Sequence, residues 1–381
     1  MSANSDLAGG RLTINLAALV SNWRYLAKQA GSAECAAVVK ANAYGCGIEP
    51  VVEALAAAGC KTFFVALPEE GLRVKKTAPS SRCFVLNGLF EDAAPYYLSS
   101  GLLPILGSVP EIDVWHSLAR KTGTTLPCAL HMDSGMNRLG LTLQELENAV
   151  GDQQLMQHLD VQLLMTHYAC ADDIGHPKTL MQQEVFKQAA SLLPDIALSA
   201  ANSGANLQND GHAFDMVRSG IALYGGEALN NIANPMRQVA KLEARIVQIR
   251  NANAGDSVGY GGAETLKRDS RIAYVSVGYA DGYQRGASNM GVPMRAIAPA
   301  ANAAYGTTIL KGVGRISMDL CGFDVTDIPE DEISAGDWIE LFGDVIHIDD
   351  VARAAGTISY EFLTGLGNRY ARRYVNIDGQ S

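Results

Sequence analysis

Between Cys35 and Arg218 the chain repeats one pattern eight times: a short apolar run rich in β-branched residues, then a longer stretch of helical period. The runs are CAAVVK (35–40), TFFVAL (62–67), RCFVLN (82–87), LLPIL (102–106), PCALHM (127–132), VQLLMTH (161–167), IALSA (196–200) and FDMVR (214–218). Stretches such as IEPVVEALAAAG, PEIDVWHSLARKTG and LMQQEVFKQAASLL place apolar residues every three or four positions, the spacing of one helix face. Strands joined through helices pair in parallel. Eight such units predict an α/β chain folded as a (β/α)8 barrel of the TIM type. An open doubly wound sheet is the competing topology, but no glycine-rich GxGxxG turn follows the first strand.

After Gly226 the texture changes. Runs such as ARIVQI, RIAYVSVGYA, GRISMDLCGFDV and DWIELFG are separated by Gly, Asp and Asn turns and show little helical period, which predicts a mostly β C-terminal domain. The boundary is expected near Asn234-Pro235. Residues 1–235 then form the barrel and 236–381 the β domain, with about the first ten residues free to pack with the latter.

Hydrophobic residues make up 48% of the 381 and charged ones 18%, enough apolar material for a large core. A formal charge of −10 argues against nucleic acid or an anionic membrane surface as a partner. No apolar run approaches the roughly 20 residues of a membrane helix, and the opening MSANSDLAGGR lacks a secretory pattern. Seven cysteines stand singly, with no close pair of the kind that holds zinc, so no metal site is expected. Such a set suits a reducing compartment, and the cytoplasm is the expected location.

A barrel gathers its functional groups at the carboxyl ends of its strands. Lys40 closes the first strand, Asp133 to Arg138 follow the fifth, His167 ends the sixth, Asn202 and Ser203 follow the seventh, and Arg218 ends the eighth. Lys40 alone would read as a solvated surface residue. At the mouth of an apolar barrel it would be partly desolvated, which lowers its pKa and frees the amine for a Schiff base with an aldehyde cofactor. A cofactor bearing phosphate also needs anion donors, and Ser203-Gly204 and Ser219-Gly220-Ile221 sit in the loops that commonly supply them. Arg218 reads either as a rim ion-pair partner or as a permanent donor to a pyridine nitrogen. His167 reads as a satisfied rim histidine or as a bridge from Arg218 to a third group. Arg138 is either a solvated loop residue or a grip for a substrate carboxylate or a ring hydroxyl.

At AVVKANAYGCG (37–47) the chain resembles the alanine racemases, pyridoxal-phosphate (PLP) enzymes built from a barrel and a β domain. DSGMNRLG (133–140), MTHYA (165–169), ANSGA (201–205), VRSGIALYG (217–225), VGYGG (258–262), VGYADGY (277–283), GRISMDL (314–320) and TISYEFLTGLGNRY (357–370) resemble that family's motifs in its order. VKAN alone also occurs in PLP proteins of other activity, so the series carries the likeness.

The resemblance implies that Lys40 holds the cofactor covalently. It further implies that Tyr44, Asn202, Ser203, Gly220, Ile221 and Tyr360 bind the cofactor, most of them at its phosphate, and that Arg218 faces the ring nitrogen. It makes Tyr260 a second catalytic base that reaches into the neighbouring subunit of a homodimer, with His167 between it and Arg218. Arg138, Met318 and Asp319 would contact the substrate, and Tyr279, Arg285, Arg315 and Ile358 would narrow the approach to it. By its residue type alone, a glycine-flanked tyrosine such as Tyr260 reads as a packing or turn residue. Three positions depart from the commoner family pattern: Cys46, His131 and Ser317. His131 stands where a lysine, carbamylated in the family, often helps to orient the arginine matching Arg138.

Racemisation removes a proton from one face of Cα and returns one to the other, so two acid–base groups are the minimal machinery. Lys40 would serve the D-enantiomer and Tyr260 the L-enantiomer of alanine, in a biosynthetic or a catabolic role. A free tyrosine with a pKa near 10 is ionised to about one part in a thousand at pH 7, so Tyr260 would need cationic neighbours. The alternatives are a racemase of another small amino acid such as serine, a PLP-dependent decarboxylase of the same build, and a PLP carrier without turnover.

Overall fold

The chain, described here from a computed structural model, is resolved into elements over residues 7–208, 213–287, 295–297 and 309–376. Its first strand, β1 (Gly10–Asn15), belongs with the C-terminal strands. Eight parallel strands follow: β2 (Glu34–Val38), β3 (Thr62–Val65), β4 (Arg82–Val85), β5 (Leu103–Leu106), β6 (Leu126–His131), β7 (Leu159–Met165), β8 (Leu198–Ser199) and β9 (Met216–Ser219). They pair in the order β8-β7-β6-β5-β4-β3-β2-β9, so the sheet curls until its last strand lies beside its first. Between β8 and β9 single bonds replace a ladder, with the Asp215 N–H on the Leu198 carbonyl at 3.0 Å and the Arg218 N–H on that of Ala201 at 2.9 Å. The expected barrel is formed and nearly closed.

The last two strands are shorter than their apolar runs because side chains take over ladder positions. The Asp215 carboxylate accepts the N–H of Leu198 at 2.8 Å, and the Ser199 hydroxyl donates to the Met216 carbonyl at 2.7 Å. β3 and β5 are buried at every position, as strands covered on both faces must be. Phe64 and Phe84 stack with ring centroids 5.1 Å apart. Six of the seven cysteines are buried and all are free thiols, so those six pack as small core residues.

The second sheet contains β1 together with β10 (Ala240–Ala252), β13 (Ser270–Val275), β14 (Arg295–Ile297), β15 (Ile309–Val313), β16 (Cys321–Asp324), β17 (Trp338–Phe342) and β18 (Ala371–Val375). The short strands β11 (Ser257–Val258) and β12 (Glu264–Thr265) form a separate hairpin. The 13-residue β10 pairs antiparallel with β1 and β17 on the two edges of its first half and with β13 along its second, which closes the sheet on itself. β1 lies between β10 and a parallel β18. Two short helices, Ile348–Ala354 and Ser359–Thr364, were not expected from the weak helical period of this region. With fewer than two turns each, they carry too few repeats to register as periodic.

Two compact units result. One comprises Leu19–Leu223 and Glu227–Met236, and the other Met1–Ala18, Tyr224–Gly226 and Arg237–Ser381 in its described residues.

Candidate active site

Lys40 lies just beyond the end of β2 and opens a turn of unusual hand. Ala41, Asn42, Ala43 and Tyr44 all have φ between +50° and +54°, a left-handed turn built without a single glycine. Each such residue costs about 1–2 kcal/mol relative to the right-handed form. Backbone bonds offset that cost, with Ala43 N–H on the Val39 carbonyl at 2.9 Å and Gly45 N–H on that of Ala41 at 2.8 Å. The Asn42 side-chain oxygen accepts from Ile48 N–H at 3.2 Å and from Arg73 Nη2 at 2.9 Å. Its own N–H donates to Glu70 at 3.3 Å, and Glu70 also accepts the N–H groups of Ala66 and Leu67 at the head of the helix Pro68–Thr77. Sequence reading placed Lys40 and Tyr44 in the site but missed this support, because KANAY has the composition of an ordinary helix.

The turn brings the Tyr44 hydroxyl toward the loop after β9. A Cβ placed on Gly220 would lie 2.5 Å from that hydroxyl oxygen, so any larger residue would push the buried phenol aside. Ser203 Oγ accepts the N–H of Gly220 at 2.8 Å and that of Ala222 at 3.4 Å. A phenol, an alcohol and the backbone of Gly220 and Ile221 thus converge on one spot. Asn202 is used locally, its side-chain oxygen accepting the N–H of Ala205 at 3.1 Å.

Arg218 is buried at 3% exposure. Its Nη1 donates to Ser199 Oγ at 2.6 Å, and its Nη2 to the Thr166 carbonyl at 2.6 Å and to His167 Nδ1 at 3.2 Å. The described bonds leave Nε–H unused. Burial pulls its pKa down to about 10, so the guanidinium still holds its proton at pH 7. Since arginine can only donate, His167 Nδ1 must accept, and its proton sits on Nε2. Burial, reinforced by the charges of Arg218, Arg138 and Lys40, holds His167 neutral, well below its ordinary pKa.

Burial is also the first cause of the lowered Lys40 pKa. The Arg138 and Arg218 charges add to it, and Glu70 opposes it. His131, the last residue of β6, is pushed down to about 4 by burial and then by Arg218 and Arg138. In the loop after β6, the Asp133 carboxylate accepts the N–H groups of Gly135, Met136 and Asn137. Arg138 is exposed, and none of the described bonds or ion pairs engages its guanidinium. The barrel mouth therefore gathers Lys40, Arg138 and Arg218, whose mutual repulsion outweighs the opposing Glu70 at Lys40, an arrangement suited to anionic ligands.

The remaining expected residues lie on the other unit. Tyr260 is 69% exposed in the tip of the β11–β12 hairpin. With Arg315, Ser317 and Leu320 it lines a cavity of about 430 Å³. Tyr279 N–H donates to the Ser317 carbonyl at 3.2 Å and Ala280 N–H to that of Met318 at 3.0 Å, which ties the turn Tyr279–Asp281 to the SMDL segment. Asp319 pairs with Arg369 at 2.9 Å, and Arg369 also reaches Asp281 at 3.2 Å. Arg285 starts a short turn through Ala287, Ile358 precedes the helix Ser359–Thr364 in an exposed position, and Tyr360 lies within that helix. No helix among the described residues is long and apolar enough to cross a membrane.

Residues 14–228 match the family description "Alanine racemase, N-terminal domain", and residues 239–374 match "Alanine racemase, C-terminal domain". The chain is 47% identical over 374 residues to the biosynthetic alanine racemase of Agrobacterium fabrum, covering 97% of this chain and 94% of that protein. It is 44% identical over 373 residues to the alanine racemase of Rhizobium meliloti, covering 97% of each. Among solved structures, the alanine racemase of Bartonella henselae, described with covalently bound pyridoxal phosphate, superposes with a TM-score of 0.89 at 36% identity. That match covers 97% of this chain and all of the other.

Proposed function

The chain belongs to the alanine racemase family, and on that premise we propose that it interconverts L- and D-alanine with PLP held at the barrel mouth and with Lys40 and Tyr260 as its two bases. The observation that carries the cofactor reading is the convergence of the Tyr44 hydroxyl, Ser203 Oγ and the Gly220 backbone where a Cβ would push the phenol aside. These groups, with Ile221 N–H and Tyr360, would hold the phosphate, and the unused Nε–H of Arg218 would meet the ring nitrogen. Asn202 would support this loop from its cap position. When bound, the cofactor supplies an electron sink for the charge left at Cα.

The chain's own residues do the rest. Lys40, its amine made easier to deprotonate by burial and two arginines, binds the cofactor covalently and moves the proton on one face of Cα. Tyr260, from a second copy of the chain, moves the proton on the other face. His167, neutral and donating through Nε2, connects Tyr260 to Arg218. A protonated Arg218 would offer the ring nitrogen a hydrogen bond without giving up its proton, and so would limit the sink and the side reactions it allows. Arg138 would hold the substrate carboxylate with help from Met318 and Asp319, while Tyr279, Arg285, Arg315 and Ile358 narrow the approach.

This reading makes the enzyme a homodimer with shared sites, located in the cytoplasm, in keeping with its free thiols. A decarboxylase is disfavoured because it would keep its ring nitrogen protonated through a carboxylate, where this chain has Arg218.

The test has two arms. Borohydride treatment of the holoenzyme should attach the cofactor to Lys40, and label on any other residue overturns the assignment. Lys40→Ala and Tyr260→Phe should each be nearly inactive, yet mixed dimers of the two should regain about half of one dimer's activity, because one of the two shared sites is then intact. Mixed dimers no more active than their parents refute shared sites.

A further inference from the structure

The helix Pro177–Ser191 lies outside every motif read from the sequence, yet it sends one polar side chain into the barrel's upper rim. Gln182 is fully buried. A primary amide offers two donor hydrogens and an acceptor oxygen, and all are used here. Its oxygen accepts the N–H of Ala169 at 2.9 Å, while Nε2 donates to the His167 carbonyl at 3.0 Å and to Ser134 Oγ at 3.2 Å. Ser134 Oγ lies 2.8 Å from Thr166 Oγ1, and the Thr166 carbonyl accepts from Arg218 Nη2 at 2.6 Å. Gly135 sits beside Gln182 at φ +131°, a backbone conformation that favours glycine, and a Cβ there would be in ordinary contact with Gln182 Cγ at 3.6 Å.

One amide therefore joins the loop after β6, which carries Arg138, to the loop after β7, which carries His167. We propose that Gln182 is a positioning residue for the racemisation, fixing the spacing between the arginine that grips the substrate carboxylate and the imidazole that faces Arg218. This rests on the roles given to Arg138 and His167 above. No common substitute reproduces the pattern. Leucine offers no polar atom, and a glutamate carboxylate has no N–H to donate to the His167 carbonyl.

Holoenzyme variants Gln182→Leu and Ser134→Ala separate the two connections. Ser134→Ala removes the Arg138 loop's bonds to Gln182 and to Thr166 Oγ1 and leaves both bonds from Gln182 to the His167 loop in place. It should speed amide hydrogen exchange in residues 133–140 and not in 166–170, and raise KM for alanine severalfold with kcat within twofold of wild type. Gln182→Leu should speed exchange in both segments and lower kcat as well, so that kcat/KM falls at least tenfold while cofactor absorbance is retained. Should Gln182→Leu not fold, the Ser134→Ala result decides alone. Unchanged exchange in 133–140, or a KM and kcat that do not separate as stated, overturns the proposal. Arg138→Ala and His167→Asn serve as controls. If they slow turnover while the Gln182 and Ser134 variants do not, the role of Gln182 alone fails; if they leave it at the wild-type rate, the underlying site assignment fails with it.

Discussion

His131 shows how a single buried group sets a response to acid. Its ring is neutral because burial and two arginines hold its pKa near 4 against an ordinary 6.5. Above about pH 6.5 the folded and unfolded chains both carry it uncharged. As pH falls from 6.5 toward 4, only the unfolded chain takes up the proton, so stability is lost across that window, by up to roughly 3 kcal/mol. His131→Asn should therefore show a shallower fall in urea midpoint between pH 7.5 and 5 than the wild type, with His167 accounting for a remaining slope. Gly220→Ala should act on a different quantity. Its Cβ would press on a buried phenol, raising the Kd for PLP at least tenfold in a titration of the apoenzyme. The sequence could place Lys40 and Arg218 at strand ends because each closes an apolar run, and Ser203 in the loop that follows one. Gln182, Glu70 and Thr166 were not legible, since their roles rest on which loops they touch, and a buried glutamine in a helix looks no different in sequence from a solvated one.

At the scale of elements, the left-handed turn after β2 reverses an ordinary expectation. Glycine weakens a helix, yet Ala41 is exposed at φ +51°, where glycine sits without strain. Ala41→Gly should stabilise the protein by about 0.5–1 kcal/mol, the relief of strain less the entropy of the added freedom, measured by denaturant unfolding. Glu70→Ala should destabilise it by about 1–2 kcal/mol, since one carboxylate accepts N–H groups from both the turn and the helix Pro68–Thr77. The strands β2 to β7 were visible from apolar runs alone. β8 and β9 came out shorter, because Asp215 and Ser199 satisfy backbone groups that a longer ladder would have used. The hand of the KANAY turn was not legible in the sequence, because only its asparagine tolerates the left-handed region, while alanine and tyrosine favour the right-handed one.

At the scale of the whole molecule, the division into an α/β part and a β part could be read from the change of texture near Gly226, but the closure of the second sheet could not. That closure depends on β10 pairing with three other strands, two of them far along the chain, and such pairings carry no local signature. β1 is fastened there by Arg11, which forks onto Glu243 at 2.8 and 2.6 Å and lies 4.5 Å over the Trp338 ring. Arg11→Ala should lower the thermal midpoint by a few degrees without altering KM for alanine, as expected of a partly buried pair that fastens one strand and has no part in the chemistry. The placement of β1 also orders events on the ribosome. This strand is synthesised before the barrel strands, yet its parallel neighbour β18 follows more than 350 residues later, so at about 5–20 residues per second it waits on the order of half a minute for its second edge to be covered. Through that interval the nascent barrel can close, while an unpaired β edge ahead of it stays exposed to chaperones and to neighbouring chains on the same message.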